Sequence, residues 1–197
     1  VNTVTPAVTP SVSTDDLKAA LRLNDDSEDE LLADWVTAAE DLFTSYTGCI
    51  LMPTTVDVEL EHWPTDRVIN LPRHPITSVT SLQYRNTSNQ WVTVSGTDYA
   101  ADLSGTHPRL FLSPTYSVPE LHDAYRPAVK VRCVCGYASA SAAPRLAVQW
   151  VKGTAALFYE RREAFTVDTL KEMPIGFRVI LDRFRTGWIV DANQGAE

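Results

Sequence analysis

From Leu31 to Tyr46 the apolar residues Leu31, Leu32, Trp35, Val36, Ala39, Leu42, Phe43 and Tyr46 recur at intervals of three and four, the spacing that lines one face of an α-helix. Ser27 and Glu30 stand in capping-box spacing just ahead of the stripe, and Gly48 lies just past it, where a left-handed residue closes a helix. The pattern predicts a helix of about five turns. Ahead of it Thr14 can cap a shorter helix, Asp15 to Leu23, with Leu17, Ala20 and Leu21 on one side and acids at its positive end. Residues 1–13 alternate Thr, Val, Pro and Ser with neither helical nor strand period, and read as an arm that is mobile or leans on a partner.

Between Ile50 and Ala143 the period becomes two. Val56, Val58 and Leu60 alternate with polar residues, as do Val79, Leu82 and Tyr84, then Val92 and Val94, and Val129, Val131 and Cys133, all predicting strands. Asn86 to Asn89 (NTSN) reads as a hairpin loop, and Pro72, Pro75, Pro108, Pro114, Pro119 and Pro127 punctuate the rest. Helical spacing returns at Pro144, which suits a first turn, with Leu146, Ala147, Trp150, Val151, Thr154, Ala155, Leu157 and Phe158 in a stripe. Gly153, Ala155 and Ala156 are small enough for another helix to approach closely. A last helix is expected from Pro174 to about Arg185, with Phe177, Ile180, Leu181 and Phe184 facing inward.

This order predicts an α+β fold in which helices from residues 14–50 and 144–185 form a small bundle and residues 51–143 form a large inserted β region. Residues 1–13 would be a flexible arm and residues 186–197 a C-terminal tail.

Composition narrows the function classes. The 197 residues are 44% hydrophobic and 21% charged, as in ordinary globular proteins, and no apolar run is long enough to span a bilayer. The start has no basic n-region or leucine-rich h-region, which leads to the expectation of a reducing cytoplasm. Three cysteines, Cys49, Cys133 and Cys135, cannot all pair within one chain, so reduced thiols are expected. A net charge of −8 disfavours a surface that grips nucleic acid; it leaves open one that repels it.

Candidate chemistry is sparse. In VRCVCGYAS, Cys133 and Cys135 lie two apart and share one strand face with Val129 and Val131, a core position, and no second ligand pair exists for zinc. His62, Asp66 and His74 surround a strand turn without diagnostic metal spacing, and Asn86 to Ser88 matches a glycosylation sequon. There is no phosphate loop, dinucleotide glycine pattern, nucleophile elbow or paired His motif, so no enzyme, cofactor or metal is expected. Asp25, Asp26, Glu28, Asp29 and Glu30, with Asp34 nearby, read either as solvated charge at a helix N-terminus or as a like-charged lining to which DNA does not stick. Arg161, Arg162, Lys171, Arg178, Arg183 and Arg185 give the C-terminal third a basic bias.

Taken in order, LRLNDDSEDELL, AAEDLFTSYTGCIL, INLPRHPITSVTSLQYRN, VRCVCGYAS, PRLAVQWVKGTAALFYERRE and ILDRFR resemble the head-to-tail adaptor (connector) family of long-tailed bacteriophages and related gene transfer agents. The resemblance covers the chain from about Thr14 to Arg185. It implies a virion protein at the capsid–tail junction, assembled in the bacterial host cytoplasm. It further implies a ring of about twelve copies docked on the portal protein, extending the DNA channel and offering a platform to a stopper or tail-completion protein. In that setting Asp25, Asp26, Glu28 and Asp29 are expected to face the lumen. Trp63, Trp91, Tyr116 and Tyr125 are expected to supply contact faces; the tail lies outside the resemblance, and its apolar triplet Trp188, Ile189 and Val190 is expected either to touch the portal or to pack back on its own bundle. A virion or secreted ligand-binding module with a β-rich recognition surface is the competing reading.

Overall fold

The computed structural model describes residues 1–161 and 175–185. Two units emerge: one of Ala7–Met52 and Tyr137–Arg185, the other of Val1–Pro6 and Pro53–Gly136. Helices occupy the first and antiparallel strands the second, the α+β class expected from the change of period.

In the helical unit, α1 (Thr14–Leu21) and α2 (Asp29–Thr47) are followed by α3 (Arg145–Arg161) and α4 (Ile175–Phe184). Both expected N-terminal caps are corrected. Ser13, not Thr14, caps α1: its hydroxyl accepts from the Asp16 amide at 3.1 Å and donates to the Asp16 carboxylate at 2.8 Å. The capping box of Ser27 and Glu30 does not form, because the Asp25 carboxylate takes both the Ser27 amide, at 3.0 Å, and the Ser27 hydroxyl. α2 begins after Glu28 with no side-chain cap. Its C-terminus behaves as expected, with Gly48 at φ 74° and its N–H donating to the Thr44 carbonyl at 2.9 Å. α3 opens on the Pro144 carbonyl, which accepts from the amides of Ala147 and Val148, so Pro144 precedes the first turn.

The core of this unit is the sum of the apolar stripes. Leu17, Leu32, Val36, Ala39 and Phe43 pack with Ala147, Trp150, Val151, Ala155, Phe158 and Leu181. Phe43 sits among rings, 5.5 Å from Trp150 and 5.7 Å from Phe184 between centroids, and the Trp150 indole N–H donates to the Phe177 carbonyl at 3.0 Å. The small residue at position 153 has the expected use, since a Cβ there would stand 3.1 Å from the Phe177 ring. Leu146, in the first turn of α3, departs from its predicted stripe and is 46% exposed.

The β unit holds β1 (Asn2–Thr5), β2 (Thr54–Leu60), β3 (Val68–Asn70), β4 (Ile76–Arg85), β5 (Trp91–Thr93), β6 (Tyr99–Asp102), β7 (Arg109–Leu112) and β8 (Val129–Cys135). One sheet has the order β1-β2-β8-β4-β5, the other β3-β7-β6, and every pair is antiparallel. β8 is central. Its residues alternate strictly between buried and half-buried, and Val129, Val131 and Cys133 face Leu60, Val58 and Val56 of β2. On the other side the same three face Tyr84, Leu82 and Val79, and Cys135 faces Ile76. Along β4 those apolar residues are spaced by three, three and two, which a flat strand could not place on one face; irregularities between Ile76 and Ser78 and between Val79 and Ser81 absorb the extra residues. The Asn86–Asn89 turn joins β4 to β5, its Asn86 amide donating to the Gln90 carbonyl at 2.9 Å and Asn89 lying at φ 62°.

Residues 1–13 differ from the arm read in the sequence. Asn2–Thr5 forms β1 against β2, and Ser11 and Val12 are buried. The Val and Thr residues suit an extended backbone, which satisfies an edge of β2 that would otherwise stay unpaired.

Candidate functional site

The two cysteines of β8 are scaffold. Cys133 and Cys135 are fully buried in the central strand, and Cys49 is fully buried just after α2, where its amide donates to the Thr47 hydroxyl at 3.0 Å. Burial pushes the Cys49 thiol up to about 12, against a weaker opposing hydrogen bond with Tyr137. The Cys133 thiol and burial together push Cys135 far above the usual thiol range. Both groups stay protonated near neutrality and lack the thiolate that nucleophilic attack requires.

His62 and Asp66 are exposed and His74 is buried; the Asp66 carboxylate accepts from the Val68 amide at 3.1 Å, an ordinary turn contact. Among the described residues no group of three His, Cys, Asp or Glu side chains is placed to hold a metal ion. Asn86 to Ser88 lies in the β4–β5 turn.

The acidic stretch is organised. The Lys18 ammonium, on a side chain only 11% exposed, donates to Asp29 at 2.9 Å and also to Asp26. These hydrogen bonds raise the Lys18 pKa further above its ordinary value. Glu28 accepts from the Tyr159 hydroxyl, and Asp25, held below the usual carboxylate range by the Ser27 hydroxyl and amide, closes its own turn. Sequence reasoning missed Lys18 as the organiser. The signal was a lone lysine inside a run of acids.

This segment also carries the net charge. Residues 7–52 hold ten acids and two bases, whereas residues 53–136 hold eight acids and seven bases. Along α2 the exposed positions Glu30, Asp34 and Asp41 are spaced by four and seven, on one helix face, and α2 contains no base. The result is a one-signed stripe beside the Asp25–Asp29 turn in sequence.

Of the four aromatics expected to supply contact faces, Trp63 and Trp91 use their rings within the β unit, and Tyr116 contributes its backbone carbonyl there. The Trp63 indole donates to the Pro119 carbonyl at 3.1 Å, Trp91 lies between Arg85 and Lys130 at 4.8 and 4.6 Å, and the Tyr116 carbonyl accepts from Arg67 at 3.1 Å. Tyr125 is 53% exposed and packs on His122, 4.9 Å between rings. Of the basic cluster, Arg178 and Arg183 are exposed and Arg185 stacks over Tyr46 at 5.5 Å. Arg162, Lys171 and the candidate contact residues Trp188, Ile189 and Val190 lie outside the described residues.

A charged pair on the strands went unseen in the sequence. Asp57, buried on β2, accepts two parallel hydrogen bonds at 2.8 Å from Arg132 on β8, with the Lys130 ammonium 3.9 Å away. Arg132 first, and Lys130 in addition, hold the Asp57 carboxyl below its usual range against the opposing effect of burial. The pair locks β2 to β8 in register and leaves no free base or acid for catalysis.

The family described as phage gp6-like head-tail connector protein matches residues 12–107. Among solved structures, the chain is similar over 96% of its length to 96% of a chain in the virion of a native gene transfer agent (GTA) particle, at 23% identity and a TM-score of 0.78. A chain in the neck of an empty GTA particle computed with C6 symmetry gives 23% identity, 96% coverage of both chains and a TM-score of 0.76. One in the neck of a native GTA particle computed with C12 symmetry gives 23% identity, 95% and 97% coverage and 0.67. None of the curated proteins matches the chain.

Proposed function

We propose, for a chain whose residues 12–107 match the phage gp6-like head-tail connector family, a working form as a connector ring at the capsid exit, docked on the portal protein and extending the DNA channel. The family is structural and not enzymatic. The connector role itself is common to the family; the ring, its partners and its lumen are our reading.

One observation carries it: the likeness to particle-neck chains runs over nearly the whole of both chains, so both units are shared and not one element alone. A neck computed with C12 symmetry supports a ring of about twelve copies. Charge supports the lumen assignment. With a net −8 per copy, and that excess concentrated in residues 7–52, the Asp25, Asp26, Glu28 and Asp29 turn would present DNA with a predominantly acidic surface that repels phosphate. Lys18 fixes the turn without cancelling it, since it meets two of its acids and is itself largely covered. The tail residues Trp188, Ile189 and Val190 form an apolar triplet suited to a groove on the portal, and the opposite side of the ring would receive a stopper or tail-completion protein.

Electron microscopy of particles from the producing system is the test. Density fitting this chain as a ring between portal and tail, with residues 25–29 toward the axis, is expected. Particles whose capsid exit lacks the chain would defeat the reading, and a ring with that turn on its outer wall would defeat the lumen assignment alone.

A further inference from the structure

We propose that β1 is exchanged between copies, so that in the ring residues 2–5 of one subunit pair with the β2 edge of its neighbour. The proposal rests on the ring reading above, and its occupant is a second copy of this chain.

The argument starts from how little ties β1 to its own subunit. All four of its residues are exposed, so it contributes no side chain to any core. Its attachment is the antiparallel ladder that pairs Asn2 with Asp57, Thr3 with Val56 and Thr5 with Thr55, interrupted by one irregularity, together with a hydrogen bond from the Asn2 amide to the Glu59 carboxylate at 2.6 Å. Every one of these contacts can be made unchanged by the same residues of another copy. Exchange therefore sacrifices none of them and needs only a link that can reach.

The link is built for it. Pro6 is the last residue of the β unit before the chain enters the helical unit at Ala7. On the helical side the chain is fixed again at Ser11, whose amide and hydroxyl both donate to Glu40, and at the buried Val12. Between these fixed points run Pro6, Ala7, Val8, Thr9 and Pro10; Ala7 is half-buried against the helical core and the other four are exposed, Val8 at 95%. The link bends at Val8 and Thr9; with those bends opened and Ala7 released from its packing, six extended steps from Thr5 to Ser11 reach about 20 Å. A strand that joins one unit by its backbone ladder and one side-chain hydrogen bond, tethered through a largely exposed, proline-bracketed link to a firm anchor in the other, is free to choose between equivalent β2 edges.

The ring makes the choice. In a dilute subunit the only edge within reach is its own. In a closed ring every copy gives one strand and receives one, so no β2 edge is left bare, and a neighbour held in place competes at the effective concentration set by a short tether.

The Thr5→Cys/Thr55→Cys double variant tests this in assembled particles and in the isolated subunit. The three native cysteines are fully buried and stay out of the reaction. After oxidation and thiol blocking, a denaturing gel without reductant should show the particle-derived chain shifted to dimer and higher masses, and the isolated subunit as a closed monomer. A monomer band with consumed thiols in particles that contain the ring would overturn the exchange and leave the ring reading intact; free thiols in such particles would overturn it equally. Microscopy of the same particles reports the ring separately, and its absence would defeat the ring reading and the exchange with it.

Discussion

The helical unit and the β unit handle charge in opposite ways. In the β unit acids and bases nearly balance, and they meet across strands: Asp57 with Arg132 and Lys130, the last also stacked on Trp91. Charge there is short-ranged and pins register. In the helical unit the acids of α1, α2 and the turn between them outnumber their bases five to one, and the interior is apolar and aromatic. Along residues 7–52 most of that charge is uncancelled and acts at a distance, while apolar packing does most of the holding, helped by the Lys18–Asp29 ion pair and the Trp150–Phe177 hydrogen bond. The difference teaches that stability and long-range field come from separate residues in the helical unit and from the same residues in the β unit. Variants can therefore separate the two in one case and not in the other.

The largest effect belongs to the aromatic interior. Phe43→Ala removes a ring with no exposure that touches Trp150 and Phe184, and should cost about 4 kcal/mol in denaturant unfolding, against about 2 kcal/mol for Val131→Ala at the centre of β8. Net charge is unchanged in both. Equal losses at the two sites would break the claim that packing carries more of the helical unit than of the sheet.

What the sequence disclosed follows the same division. The stripes of α2, α3 and α4 and the alternation of β2 and β8 were legible because each buries a long, regular face. β4 was legible only in part, since its apolar spacing of three, three and two is not a strand pattern until the irregularities are known. β1 buries nothing and so left no alternation to read. The caps were displaced by local competition: Ser13 serves where Thr14 was expected, and Asp25 recruits Ser27. Of the candidate site, the acidic turn was plain from composition, but its organiser Lys18 and the Asp57–Arg132 pair were not. The latter joins residues 75 apart, and only the register of two strands brings them together.

Asp57→Asn sharpens the comparison from the β side. It removes the anion that two Arg132 hydrogen bonds and Lys130 address, and should cost about 2 kcal/mol near neutrality. Because the folded carboxyl is held below its usual range, the advantage of aspartate is full above the unfolded carboxylate value and fades as pH falls through the folded one. Urea midpoints of the two proteins should converge on acidification. A gap that stays constant would mean that shape, and not the ion pair, sets the cost.

Glu40→Gln gives the smallest effect and the opposite sign. Glu40 on α2 accepts from the amide and hydroxyl of Ser11, yet burial dominates and its carboxyl is held above the usual range. A raised carboxyl favours the folded state most when protonated: that contribution is present below the unfolded value and is lost as pH rises through the folded one. Near neutrality wild type therefore keeps a charge that the site disfavours, while glutamine offers Ser11 the same carbonyl acceptor without it. The variant should match or exceed wild type by roughly 0.5 kcal/mol near neutrality, and the difference should vanish on acidification. Asp57→Asn and Glu40→Gln thus approach wild type from opposite sides along one pH series. If Glu40→Gln were instead destabilising at neutral pH and recovered in acid, the Ser11 hydrogen bonds would outweigh desolvation, and the helical unit would use a local ionic contact much as the sheet does.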